Sequence, residues 1–356
     1  MDLVTHGLAS FALARGLFPR AGKLAAAAAV LAGCLADADR LAMYFGPSAA
    51  FTWRGTYFHS VLAAVLLSAL VAVIFGATSQ GKHLNASTPA PGEPESNNAF
   101  PAKKSSAAFF LLFAALVAAL LHLAMDVCQS DGVMLLWPFR AKQFAADWLP
   151  EIDPWILTIL VLAVAVPELL SLVSSEIGVK SKKPRGQTGA LIGLALVVIY
   201  IGARGTLHAN AVGLLESRVF HGEAARRALA YPEALSLTTW HGVAETESAL
   251  DQIDVNFASS GTFDPDASLR VFKPESSAAL EAAQDTPIAK QFLAVAQMPK
   301  ASVEKTDVGS VVILRDLRYA ASGETQHEIA ALIELDPDNK VTSQEIVWAR
   351  DLRGAM

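Results

Sequence analysis

The first 206 residues alternate long apolar runs with short polar breaks, and the rest of the chain changes to short alternating patterns. A membrane-spanning helix needs ~20 mostly apolar residues, and ~17 can suffice. Six stretches approach or meet that length: 3–18, 21–36, 57–77, 107–127, 152–173 and 188–204. The first two are short and Ala-rich, which suits tilted, re-entrant or inward-packed helices. Residues 78–106 are rich in Ser, Pro, Asn and Gly and read as a flexible linker. The expected architecture is an α-helical membrane bundle of about six spans over 1–206, followed by a soluble α+β domain over 207–356.

Within the second region, residues 207–230 read as helix ending before Tyr231-Pro232. Residues 235–246, 252–259, 310–320, 327–336 and 343–350 alternate as strands do. Residues 276–297 read as helix interrupted near Thr286-Pro287. The last strands suit a meander turning at Ser322-Gly323 and at 336–339. Trp240 and Trp348 are expected to be core aromatics. This region carries no catalytic motif.

Composition agrees with a membrane protein: 53% of residues are hydrophobic and only 17% charged, against roughly a quarter charged in soluble chains. The net charge of −6 excludes a nucleic-acid binder, which wants a basic face. Two cysteines, Cys34 and Cys128, make neither a disulfide framework nor a Cys-rich zinc module. Both are expected to remain thiols. Lys and Arg favour the cytoplasmic loops. Lys180, Lys182, Lys183 and Arg185, then Lys103 and Lys104, then Arg15, Arg20 and Lys23 fall on one side if all six stretches span. That places the C-terminal domain and the loops 37–56 and 128–151 outside the cytoplasm.

On this map His6, Asp37, Asp39, Arg54, His59, Ser60, His122 and Asp126 lie at one membrane level, on one side. Ionisable groups at membrane depth are costly and mark function. His122 and Asp126 are four apart and share a helix face. Asp37 and Asp39 sit where a helix ends, and the dipole there disfavours carboxylates, so a cation would stabilise both. A lone His near an interface is ordinarily solvated or hydrogen-bonded, and His83, His208, His221, His241 and His327 are read that way. Separate segments bringing His and Asp to one level favour a divalent metal, zinc first, with manganese or iron as alternatives.

The ordered set resembles the YdjM family of inner-membrane proteins. That family's pattern has an early His, an Asp-x-Asp, a His-Arg-Gly-x-Thr-His-Ser segment, and a later His-x-x-x-Asp followed by Gly and Pro. Here the matches are Thr5-His6-Gly7, Asp37-Ala-Asp39, residues 53–60 with Arg54, His59 and Ser60, and His122 with Asp126. Gly132 and Leu135-Leu136-Trp137-Pro138-Phe139 complete it. Residues 1–140 carry the match. The first His of the central motif is absent, and Arg54 or Trp53 stands in its place. Long-tailed members share Trp240-His-Gly-Val-Ala-Glu245 and Leu314-Arg-Asp-Leu-Arg318.

The resemblance implies a metal-dependent hydrolase of the inner membrane. His6, Asp37, Asp39, His59, His122 and Asp126 are the expected metal ligands, and Arg54 and Asp39 the expected catalytic residues. Arg54 would steady developing negative charge. A site at the membrane surface implies a lipid or lipid-linked phosphoester or ester. Two other classes remain: an ion- or proton-translocating protein, and a non-enzymatic envelope protein with a structural metal.

Overall fold

The computed structural model describes residues 1–19, 21–84, 104–176, 186–259, 263–319 and 328–354. Helices form at all six apolar stretches: α1 (Leu3–Leu17), α2 (Gly22–Leu35), α4 (Val61–Leu84), α5 (Lys104–Val127), α6 (Pro154–Glu176) and α7 (Gln187–Glu216). A 3-10 helix (Ala36–Phe45) and the short α3 (Pro47–Trp53), neither expected from the sequence, lie between α2 and α4. By length and composition, Ala108–Val127 and Gln187–Glu216 can each cross a membrane, and Val61–Ala77 and Pro154–Leu170 are shorter apolar helices. The six expected helices are present, and among the described residues two of them are apolar over a membrane-spanning length. At 1.5 Å per residue α1 and α2 reach only about 22 Å, against a hydrocarbon core of about 30 Å.

Small residues draw the first helices together. Ala25, Ala28, Ala29 and Ala32 of α2 are buried against Ala114, Ala115 and Ala118 of α5. Such faces let backbones approach closely. The outward faces are apolar: Leu66, Leu70 and Val73 on α4, Leu162 and Leu169 on α6, Val198 and Ile199 on α7 are all exposed. That is the surface a lipid environment solvates.

Two expectations change. Both ends of the linker read at 78–106 are helical, because α4 continues to Leu84 and α5 starts at Lys104; the stretch between lies outside the described residues. The helix read over 207–230 ends at Glu216. Strands β1 (Val219–Phe220) and β2 (Glu223–Ala224) follow, joined by His221 and Gly222 with φ 48° and 85°. Two successive positive φ values make a hairpin turn that a helix cannot continue through.

α7 is about 45 Å long and carries on into the sheet-rich region. Its Ala211 and Leu215 are buried with Phe220, Ala228, Trp240 and Val255. There β3 (Arg227–Pro232), β4 (Thr239–Glu245), β5 (Ala249–Asn256) and β6 (Leu269–Phe272) form an antiparallel meander. Then α8 (Ala278–Gln284) and α9 (Pro287–Val295), broken at Thr286 as expected, cover a second sheet. Its order is β10-β9-β8-β7, from β7 (Pro299–Thr306), β8 (Gly309–Asp316), β9 (Ile329–Leu335) and β10 (Val341–Trp348). The turn at 336–339 forms, with Asn339 N–H donating to the Asp336 carbonyl at 2.9 Å. Ser322-Gly323 lies outside the described residues. Tyr231, Val243 and Leu250 of the first sheet share a core with Met298 and Leu317.

Candidate metal centre

The pocket is assembled from four short pieces of chain. Asp2 caps α1, accepting from the amides of Val4 and Thr5 at 3.0 Å each, and this sets His6 one turn in. The Ala-lined approach of α2 to α5 brings the Gly33 carbonyl to His122 Nδ1 at 2.7 Å. His122 therefore donates through Nδ1, and Nε2 keeps its lone pair for a ligand. In the 3-10 helix each residue turns by about 120°, so Asp37 and Asp39 face different ways while Asp37 and Arg40 eclipse. Asp37 turns to α1 and α5, and Asp39 to the loop before α4. Ser60 caps α4 by accepting from Ala63 N–H at 3.1 Å, as a supporting rather than nucleophilic serine would.

The donors form two groups that share one residue. His6, Asp37 and His122 each offer an atom within 4.8 Å of the others, and so do His59, His122 and Asp126. All five are buried. Asp126 is the hub: its Oδ1 is 3.2 Å from His6 Nε2, and its Oδ2 lies 3.2 Å from His59 Nε2 and 3.0 Å from His122 Nε2. The Met1 amino group is 2.5 Å from Asp126 Oδ1. The rings of His6 and His122 meet edge to face, and their Nδ1 atoms touch.

His6 Nε2, His122 Nε2, His59 Nδ1 and Asp37 Oδ2 are buried without a hydrogen-bond partner, despite charged neighbours within 3–4 Å. Buried polar atoms are almost always paired. Imidazole nitrogens and carboxylate oxygens facing one another without bonding suit a divalent cation, which uses their lone pairs. The residues present therefore fit the expected metal.

Comparison with known proteins gives the family. The YdjM inner membrane protein family matches residues 1–211. The chain belongs to that family. A second match, the YfhP C-terminal alpha/beta plait domain, covers residues 278–353, the second sheet with its two helices. No curated protein and no solved structure matches the chain.

Within this YdjM chain, two of the expected site residues stand apart from both donor groups. Asp39 accepts from Gly55 N–H at 2.8 Å and lies 3.0 Å from His59 Nδ1. It stands behind His59 as an orienting carboxylate does. Gly55 has φ 66°, and a side chain there would run into the Gly132 carbonyl, so only glycine lets these loops meet. Arg54 gives its guanidinium to Asp131 at 2.6 Å and Glu151 at 2.8 Å. It sits on the rim of the pocket rather than pointing to its centre. Trp53, the other candidate for the lost family His, is turned outward and packs on Tyr57.

Several functional neighbours were not legible in sequence. Arg40 joins Asp37 Oδ1 at 3.2 Å to Glu151 at 2.9 Å, so Glu151 bridges Arg40 and Arg54. Beyond the rim, Asp131 accepts from Tyr319 Oη at 2.9 Å. Arg318 donates to Asp316 Oδ2 at 2.9 Å, the Ser130 carbonyl at 2.7 Å and the Val295 carbonyl at 3.1 Å. Burial pushes the Asp131 carboxyl up, but Arg54 and Arg318 outweigh it and hold it below its usual range. The Leu314–Arg318 motif was a signal for this junction, although it carried no role. His208 packs on Trp240 instead of the pocket. Cys34 and Cys128 are free thiols held by different carbonyls, Leu3 and Ala124.

Proposed function

We propose that this chain is a multi-pass inner-membrane hydrolase that uses a divalent metal, zinc first, on a lipid or lipid-linked phosphoester or ester. One observation carries the reading: two buried His/Asp groups share His122, and among their atoms His6 Nε2, His122 Nε2, His59 Nδ1 and Asp37 Oδ2 make no hydrogen bond. His6, Asp37, His122, His59 and Asp126 would hold the metal, with Asp39 orienting His59. When bound, such an ion acidifies water and polarises the scissile group. The chain's own part is then positional. Gly33 fixes the His122 tautomer, and burial excludes bulk water, strengthening every charge interaction inside. Arg54 and Arg40 line the mouth, where a guanidinium suits a developing oxyanion. Either would give up a carboxylate partner to do so.

If all six stretches span, the bias of Lys and Arg toward cytoplasmic loops favours an extracytoplasmic pocket and C-terminal domain. A C-terminal reporter active only when exported supports this, and a cytoplasmic signal reverses it. For the activity itself, purified protein is to be analysed for metals and assayed with phosphomonoester, phosphodiester and acyl-ester lipids. Bound divalent metal with lipid turnover abolished by chelation and restored by the ion is expected. Metal-free protein after loading with zinc, manganese and iron would overturn the reading.

A further inference from the structure

Beside the metal pocket runs a cleft of about 440 Å³ that shares only Asp37 with the donor groups. Three distant parts of the chain build it: the start of α1, the 3-10 helix, and the end of β10 in the C-terminal domain. Leu3, Leu41, Met43, Tyr44 and Trp348 give it apolar walls, and Asp37, Arg40 and Arg350 give it polar ones. Asp37 belongs to both places. Its Oδ1 meets Arg40 on the cleft side, while its Oδ2 faces His6 and His122 in the pocket. The cleft therefore ends at a metal-binding carboxylate.

The mouth is apolar and open. Leu41 is 59% exposed and Tyr44 86%, and Leu3 of α1, which lines the same cleft, is exposed. Contiguous exposed apolar surface marks an interaction site. Aromatic side chains where membrane helices end are at home at the headgroup level. The cations fit the same level. Arg350 is half exposed, with its guanidinium over the Trp348 ring at 5.8 Å and a loose contact to Asp351 at 3.5 Å. Apolar walls, an aromatic mouth and guanidinium groups leading to a metal ligand describe the two ends of an anionic amphiphile. A soluble phosphate ester would use only one of those ends.

We propose that this cleft binds a phosphate-bearing lipid, tail against Leu41, Tyr44 and Trp348 and headgroup between Arg40 and Arg350, and that the C-terminal domain thereby completes the substrate site. The proposal deepens the hydrolase reading of the metal pocket and rests on it for the lipid's fate, but not for its binding. It gives the end of the last strand a purpose: Trp348 meets the tail, and Arg350 just beyond it is the residue through which the C-terminal domain selects the headgroup.

The test uses the full chain in phosphatidylcholine nanodiscs and phosphatidic acid carrying a photoreactive acyl chain. Cross-links are expected within 41–44 and at 348. Arg350→Gln is expected to weaken phosphatidic acid binding about tenfold, since a charge-assisted contact is lost. Leu41→Glu should weaken it similarly by placing charge in the apolar wall. Both variants are expected to keep wild-type metal content, which shows that the fold is intact. Asp126→Asn, with its metal lost, should still cross-link, so failure of the metal reading is separable from failure of the cleft. Unchanged affinity in both cleft variants would overturn the proposal. So would cross-links confined to the outer faces of α4–α7. Glycerol 3-phosphate competing as well as phosphatidic acid would overturn the lipid as the ligand.

Discussion

Two buried charged clusters flank the 129–132 loop, and they are built on opposite rules. In the junction with the C-terminal domain every strong charge is answered by the chain. Both Asp131 oxygens are taken, by Tyr319 and Arg54, and both Asp316 oxygens accept from Arg318 and from the amides of Gln297 and Met298. In the metal pocket Asp37 Oδ2 and three imidazole nitrogens make no hydrogen bond among the described residues, although charged groups stand 3.0–3.6 Å away. Burying charge without pairing is costly. The junction is closed by its own residues, and the pocket has donors that a cation could complete. Burial and charge look alike in both; pairing tells a structural cluster from a binding one.

The comparison breaks first, and hardest, at His122, which both donor groups share. His122→Ala should abolish bound metal and any lipid turnover while the protein still inserts in the membrane. Elemental analysis of the purified protein decides it, and full metal retention would return the pocket to an ordinary polar cluster. At the junction the expected loss is of another kind. Arg318→Ala strips one partner from a buried pair and should cost about 3–5 kcal/mol of local stability. Hydrogen exchange should rise in 129–132 and 297–319 with metal content kept. Metal lost as completely as in His122→Ala would erase the distinction between the clusters.

Sequence made the pocket more legible than the junction, for a physical reason. His122 and Asp126 meet through helix geometry alone, and His6, Asp37 and His59 follow from which ends of which helices face one side. The junction joins Ser130 and Asp131 to Arg318 and Tyr319 across 188 residues, and no local period records such a contact. The different duties of Asp37 and Asp39 were also hidden, because they depend on the chain entering a 3-10 helix at Ala36. The helix read over 207–230 had good propensity from its Ala, Leu, Glu and Arg residues. The turn at His221-Gly222, with His221 N–H donating to Asp266 at 2.7 Å, and the sheets it leads into overrode that propensity.

A smaller effect sharpens the boundary of the junction. Asp147 is buried with φ 58° and accepts from Gln297 Nε2 at 3.2 Å. Burial pushes its carboxyl up to about 6, against the lowering pull of Gln297, Ser130 and Arg318, while Asp316 adds to the rise. The unfolded value is about 3.9, so the folded chain holds an extra proton between these values. The stability of the contact therefore falls as pH rises from about 4 to about 6 and is level above that. Asp147→Asn tolerates the same backbone and should recover roughly 2–3 kcal/mol at neutral pH. Hydrogen exchange in 297–319 measured from pH 4 to 8 should lose its step. A step that persists in the variant assigns the proton to another group.

The finest test lies at Asp39, which sits in the pocket but is bonded as junction residues are. Gly55 N–H holds one oxygen, and His59 Nδ1 stands 3.0 Å from the same atom. A carboxylate behind a ligating imidazole fixes its ring and raises its basicity, and removing such a partner weakens metal affinity about 10–100-fold. Asp39→Asn keeps an acceptor for Gly55 but withdraws the charge that steadies His59. Metal should then bind at full stoichiometry with an affinity lowered by that factor, about 1.4–2.7 kcal/mol. Titration with zinc against a competing chelator reads this directly. A stoichiometric loss like that of His122→Ala would make Asp39 a ligand in its own right, and the pocket would then draw its metal from both carboxylates of the Asp37-Ala-Asp39 motif. An unchanged affinity would instead place Asp39 with the junction, as a brace for the Gly55 turn.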